Sequence, residues 1–243
     1  MAMLLPRATA GDPVTRNAVA AVLPVGSFEQ HGPFLPLSTD TIIASVISEA
    51  VADEYGLLQL PPVTISCSHE HAAWRGTVSI RASTLYALVN DVIDSLRTSG
   101  IEKLLIVSGH GGNYVLSNVV QEASATGPHV AVYPTSGDWR AAREAAGLDE
   151  LESYADMHGG ELETSILLQA APDVVRPGFE AADSPIDARP NHLLSLGLGE
   201  YTKTGVIGRS SLGTAEKGAA LMQALVDLAG AHLRAIEVIP RLG

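Results

Sequence analysis

The chain has one cysteine, Cys67, so no internal disulfide can staple it and no thiolate-rich zinc cage can be built from its own residues. Basic residues are scarce. Fifteen Lys and Arg stand against 27 Asp and Glu, a formal net charge of −12, and no basic cluster occurs anywhere. A phosphate-tracking surface has nothing to be made from, so nucleic acid is not an expected partner. No apolar run approaches the roughly 20 residues of a spanning helix, and the first 17 residues carry neither the apolar stretch nor the cleavage signature of a secretory signal. The expectation is a cytoplasmic protein with no membrane contact. Charged residues make up only 17 %, against 46 % apolar. Over 243 residues that suffices for a sizeable core. With no repeat, low-complexity tract or linker, residues 1–243 read as a single domain.

What is present alternates. "AVAAVLPVG" (18–26) is a short apolar run stopped by Pro and Gly, the pattern of a buried strand. Residues 39–56 place Ile42, Ile43, Val46, Ile47, Ala50 and Val51 at helical spacing, with Thr39 or Asp40 able to cap the start and Gly56 the end. "LLQLPPVTIS" (57–66) reads as a strand whose two prolines argue against a central, fully paired position. A helix over 83–100, opened by Ser83, leads to the apolar strand 103–109, a helix over 114–126 and a strand over 129–134. Later helices are expected at 163–171 and 214–237, with 172–212 irregular and facing substrate or another subunit. The alternation predicts an α/β fold, doubly wound around a mainly parallel sheet, with sites beyond the carboxyl ends of the strands.

Four clusters interrupt this pattern with chemistry. "GSFEQHGPFLPLSTD" (26–40) holds Glu29, His31 and Asp40; the first two project to one side in extended backbone, and Asp40 returns from the next helix. "SGHGGN" (108–113) puts His110 at the end of a buried strand, before glycines that permit close approach. "DMHGGELETS" (156–165) groups Asp156, His158, Glu161 and Glu163; the helix dipole alone would favour the two glutamates, but not a cationic His158. Asp156 is placed to orient the ring of His158 or raise its pKa. "SHEHAAWRGT" (68–77) has His69 and His71 in His-x-His spacing.

Five of the eight histidines lie in these loops, with carboxylates close by in three of the four. That inventory suits Zn²⁺, Mn²⁺ or Fe²⁺ in a catalytic site. Carboxylates bridging two ions would hold a hydroxide between them, and the ions would polarise a carbonyl. Two other readings stand beside this one: a single-metal barrel hydrolase built on His69 and His71, which 243 residues without eight strand–helix repeats do not favour, and a non-catalytic subunit binding metal or a small ligand.

In their order, "LPVGSFEQHGPFLPLSTD", "SHEHAAWRGTVSI", "SGHGGN", "HGGELETS" and "TGVIGRSSLGTAEKG" resemble the successive motifs of the creatininase (creatinine amidohydrolase) family, over about residues 21–218. The resemblance implies a creatininase-like sandwich, two divalent metal ions per chain, hydrolysis of a C–N amide-type bond in a small-molecule or short-peptide substrate, and a homo-oligomer, commonly a hexamer. Carried over by position, Glu29 and His110 serve one metal, His31 the other, and Asp40 bridges. His158 handles protons, and Ser68 and His71 line the substrate pocket. True creatininases have a tyrosine and a metal-binding glutamate after the motif histidine, where this chain has Gly111 and Gly112. Glu161 is the replacement chosen here, with Glu163 as alternative ligand or catalytic partner. The Gly-Gly pair is more similar to the family's formamidopyrimidine deformylases and mycofactocin-maturation peptidases. A deformylase would draw phosphate-binding cations from Arg75, Lys203, Arg209 and Lys217.

Overall fold

A computed structural model describes residues 5–148 and 154–240. Four strands, β1 (Ala20–Val25), β2 (Leu58–Gln59), β3 (Lys103–Ser108) and β4 (Val130–Tyr133), form a parallel sheet in the order β2-β1-β3-β4. Both faces of β1 are buried because alternate side chains feed two separate cores. Ala20 and Val22 join one, and Ala21, Leu23 and Val25 the other. The prolines of 57–66 have the predicted effect: β2 is two residues long and lies at the edge.

Helices α1 (Thr39–Tyr55), α4 (Ser136–Ala145), α5 (Glu161–Ala170) and α6 (Ala215–Ala235) supply the first core, and α2 (Ala82–Thr98) and α3 (Val115–Ala123) the second. The chain leaves β1 through α1 to β2 on one side, then crosses by α2 to β3 on the other. The carboxyl ends of β1 and β3 therefore form the switch point of the sheet, where open α/β folds have a crevice. Two glycines let α1 start there. A Cβ at Gly26 would lie 2.4 Å from Thr41 Cα, and one at Gly109 would lie 2.2 Å from Asp40 O.

Two expected caps are absent. Ser38 occupies the N-cap of α1 without a side-chain bond, and Asp40 turns its carboxylate into the crevice; α2 begins after Arg81, not on Ser83. Gly56 ends α1 in the left-handed region as its place after the last apolar residue requires. Helix α4 has no counterpart in the sequence reading. It is opened by a reciprocal cap between Thr135 and Asp138, and Asp138 also accepts from His232 Nε2 at 3.0 Å. Segment 172–212 is irregular, with short helical turns, and returns Gly205 and Ile207 to the crevice.

Candidate metal centre

The loop after β1 is held by the bonds Glu29 N–H to Leu37 O (2.9 Å) and Val78 N–H to Phe28 O (2.9 Å). It delivers Glu29 and His31 to the crevice, where Asp40 arrives on the first turn of α1, His110 after β3, and His158 and Glu163 around the start of α5. Glu29, His31, Asp40, His110 and His158 are all buried. His110 Nδ1 lies 3.1 Å from Glu29 Oε1 and 3.4 Å from Asp40 Oδ2, while His31 Nε2 lies 3.0 Å from Asp40 Oδ1 and 3.8 Å from Glu163 Oε2.

Among the described residues, three groups bring ligand atoms within 4.8 Å of one another: Glu29, Asp40 and His110; His31, Asp40 and Glu163; and Glu29, His31 and His158. Asp40 belongs to the first two. Glu29 Oε1 and Asp40 Oδ2 are buried without a hydrogen-bond partner, a costly arrangement that a cation between them would relieve. The remaining atoms are tied back. Ser27 Oγ donates to Glu29 Oε2 (2.7 Å), and Gly159 N–H to Glu163 Oε2 (2.6 Å). His31 Nδ1 meets Glu29 O at 3.1 Å and His110 Nε2 meets Cys67 O at 2.9 Å, which leaves His31 Nε2 and His110 Nδ1 to face the carboxylates. This set of imidazoles and carboxylates fits divalent metal binding.

The protonation pattern sorts the histidines by what they face. Burial disfavours the cation at His31, yet Asp40 and Glu163 outweigh it and lift the ring to about 10; His110 is raised in the same way by Glu29. Burial pushes Glu163 up to about 7 despite His31. Burial, with His110 and His31 adding, takes His71 down to about 2, and His158 is held well below its ordinary value by burial, His31 and His71. The carboxylates favour positive charge at His31 and His110, whereas His71 and His158 are pushed toward the neutral form.

Glu161 appears in none of the three groups, and its carboxylate meets Lys217 Nζ instead. Residues two apart on a helix do not share a face, so only one of Glu161 and Glu163 can look into the crevice, and it is Glu163. A Cβ on Gly112 would lie 2.1 Å from Glu70 Oε1 and 2.3 Å from His110 Nε2, so a glutamate at position 112 would require both side chains to shift. Asp156 does not orient His158. It accepts from Glu161 N (2.7 Å) and Arg209 N (3.2 Å) and pairs with Arg143 Nη1 (2.7 Å), capping α5. His69 is exposed against Ser79 Oγ (3.0 Å) while His71 is buried beside Glu29, so the His-x-His pair does not converge. Ser68 is buried, its hydroxyl unpartnered.

A cavity of about 110 Å³ lies over the cluster, lined by Asp40, Glu70, His71, His110, His158 and Glu163 among others. It adjoins one of about 600 Å³ walled by Leu116, Val132, Trp139, Arg140 and Arg143, and Tyr114 and Met157 also border a groove of about 730 Å³ on the other side. Among the described residues, Arg140 and Arg143 line the larger space beside the cluster and Arg189 lines the groove, whereas Arg75, Lys203, Arg209 and Lys217 line none of these three spaces. Sequence reading missed Arg140 and Arg143 because they lie on α4. It also passed over Gln30, which sits inside the Glu29–His31 motif.

Compared with known proteins, residues 9–233 match the model of the creatininase family (creatinine amidohydrolase). A mycofactocin precursor peptide peptidase of Mycobacterium ulcerans is 33 % identical over 85 % of this chain and 81 % of its own length. A creatinine amidohydrolase of Pseudomonas putida is 24 % identical over 91 % and 88 %. Among solved structures, a mutant creatininase of Zn-Zn type superposes with a TM-score of 0.79 at 22 % identity, covering 94 % of this chain and 93 % of that one.

Proposed function

The chain belongs to the creatininase family, and from that premise we propose that it is a metal-dependent amidohydrolase that cleaves a carbon–nitrogen amide bond with two divalent ions, Zn, Mn or Fe, in the crevice. Glu29, Asp40 and His110 would hold one ion and His31, Asp40 and Glu163 the other, with Asp40 shared. The observation that carries this reading is the pair of orphaned buried oxygens, Glu29 Oε1 and Asp40 Oδ2, beside the ring nitrogens of His31 and His110. Bound there, such ions lower the pKa of water and polarise a carbonyl oxygen.

The chain's own groups supply the rest. His158, neutral by burial, takes a proton from the attacking water at Nδ1 and returns it to the departing amine nitrogen, so that amide and water become acid and amine. His71, in the cavity wall, is a substrate-side residue, and Ser68, buried three residues before it, is assigned there by the family resemblance. Spaces on both sides of the cluster exceed what a creatinine-sized ring would fill and favour a short peptide, the substrate class in the name of the Mycobacterium ulcerans relative. The protein is read as a cytoplasmic homohexamer, a state that light scattering measures. The function is tested by reconstituting the chain with Zn²⁺ or Mn²⁺ and assaying creatinine, formamides and short peptides. Two ions per chain and turnover of a peptide amide are expected. A chain that binds two ions and hydrolyses no amide would be a binding subunit.

A further inference from the structure

Gln30 lies between two histidines of the site, and backbone groups dictate which way its side-chain amide points. Gly32 N–H donates to Gln30 Oε1 (2.9 Å), and Gln30 Nε2 donates to Gly205 O (3.1 Å). A flipped amide would set oxygen against the carbonyl and nitrogen against the N–H, so the orientation is determined without reference to either imidazole. The second Nε2 proton then points to His71 Nδ1 at 3.0 Å, which must accept. A neutral ring that accepts at Nδ1 carries its proton at Nε2.

His158 is wired by the same residue through its main chain. Its Nε2 lies 2.6 Å from Gln30 O, a carbonyl that can only accept, so His158 Nε2 donates and its proton is there. The approach of Gln30 Nε2 to His158 Nε2 at 3.1 Å is therefore donor against donor and is not a hydrogen bond. The lone pair of His158 is left at Nδ1, 4.0 Å from Glu29 Oε1 and within the group that includes Glu29 and His31.

We infer that Gln30 is a positioning residue that presents the two rings to the cluster in opposite senses: His71 shows an N–H donor, and His158 shows a lone pair. The His71 proton faces the cluster and makes no aligned hydrogen bond within the chain. His71 Nε2 is 3.1 Å from Glu29 Oε1, yet that oxygen accepts no hydrogen bond, and the ring borders the small cavity over the cluster. Its N–H is available to the carbonyl oxygen of an amide as negative charge develops there, while His158 Nδ1 is available to a proton. This catalytic consequence rests on the hydrolase reading; the wiring itself does not.

The test is a two-bond ¹⁵N–¹H spectrum of the zinc-loaded, ¹⁵N-histidine-labelled protein, with the two rings assigned by His71→Asn and His158→Asn. Both should show a protonated Nε2 and an unprotonated Nδ1. Gln30→Glu replaces the donor by an acceptor and should move the proton of His71 onto Nδ1 without changing His158, whose partner is main chain. Gln30→Met, similar in length and without a donor, guards against misfolding of the charged variant and should yield a mixture of His71 tautomers. Zinc content should be retained, and kcat on the amide turned over by the wild type should fall roughly 10²-fold. A protonated His71 Nδ1 in the wild type, or His71 signals unmoved in both variants, would overturn the wiring. Confirmed tautomers in a protein that hydrolyses no amide would uphold the wiring and overturn only the hydrolase reading.

Discussion

Helices α1 and α2 are both 17 residues long and lie on opposite faces of the sheet, yet they are buried to different depths. In α2 only Leu85, Val89, Ile93 and Leu96 are buried, one stripe of an amphipathic surface helix. In α1 twelve residues are buried, including Thr39, Asp40, Ser45 and Ser48, because the helix is clasped between β1 and β3 on one side and α5 and α6 on the other. Residues 39–48 of α1 are buried without a break, so the polar side chains of that stretch must find partners inside the protein. Ser45 donates back to Thr41 O (2.7 Å), and Asp40 turns to His31. The carboxylate shared by the two ligand groups thus sits on the most enclosed helix, where packing holds its position.

Breaking that contrast at its most consequential point means Asp40→Ala. Losing the shared ligand should empty at least one metal position by elemental analysis and remove several kcal/mol of transition-state stabilisation, roughly 10³-fold in kcat. Full metal content with full activity would refute the shared role. His158→Ala tests the neighbouring wall of the crevice. Metal content should persist while kcat falls roughly 10²- to 10⁴-fold with a smaller change in KM, and loss of metal would make His158 a ligand.

Packing comes next. Ile47, on α1, is fully buried, and Ile47→Ala should cost about 2–5 kcal/mol in denaturant unfolding, whereas Asp91→Ala on the exposed face of α2 should stay within about 0.5 kcal/mol. Equal effects at the two sites would mean that α1 is not the enclosed helix. The smallest expected effect has the opposite sign. Ser48 Oγ is buried without a partner, so Ser48→Ala should stabilise the protein by about 1 kcal/mol, read as a raised urea midpoint at unchanged slope.

The chemistry of the site was legible because glycine and proline set its clusters apart from strongly periodic strands and helices. Glu29, His31, Asp40, His110 and His158 could be singled out from "FEQH", "LSTD", "SGHGG" and "MHGGE", and the structure brings all five into one crevice. Helix α4 was not legible. "SGDWRAAREA" is polar apart from its alanines and one tryptophan, and its stability comes from the Thr135–Asp138 cap and from packing on α6. Arg140 and Arg143 were hidden with it. Asp156 looked like a partner of His158 because it is two residues away, but the turn carries its carboxylate to the amides at the start of α5 and to Arg143.

The sequence by itself determined the alternation of strands and helices, the edge position of β2, and the kinds of ligand available, since hydrophobic period, proline geometry and side-chain chemistry are properties of short stretches. Tertiary structure decided which ligands meet. Glu161 and Glu163 are equivalent in composition and lie in the same first turn, and only the rotation at which α5 docks sends one to Lys217 and the other to His31. Gln30 and His158 are 128 residues apart, and His71 is 41 from Gln30. No local spacing encodes the hydrogen bond that gives each ring its tautomer, because that bond exists only after the loop after β1, the turn at 69–71 and the start of α5 have packed around one buried crevice.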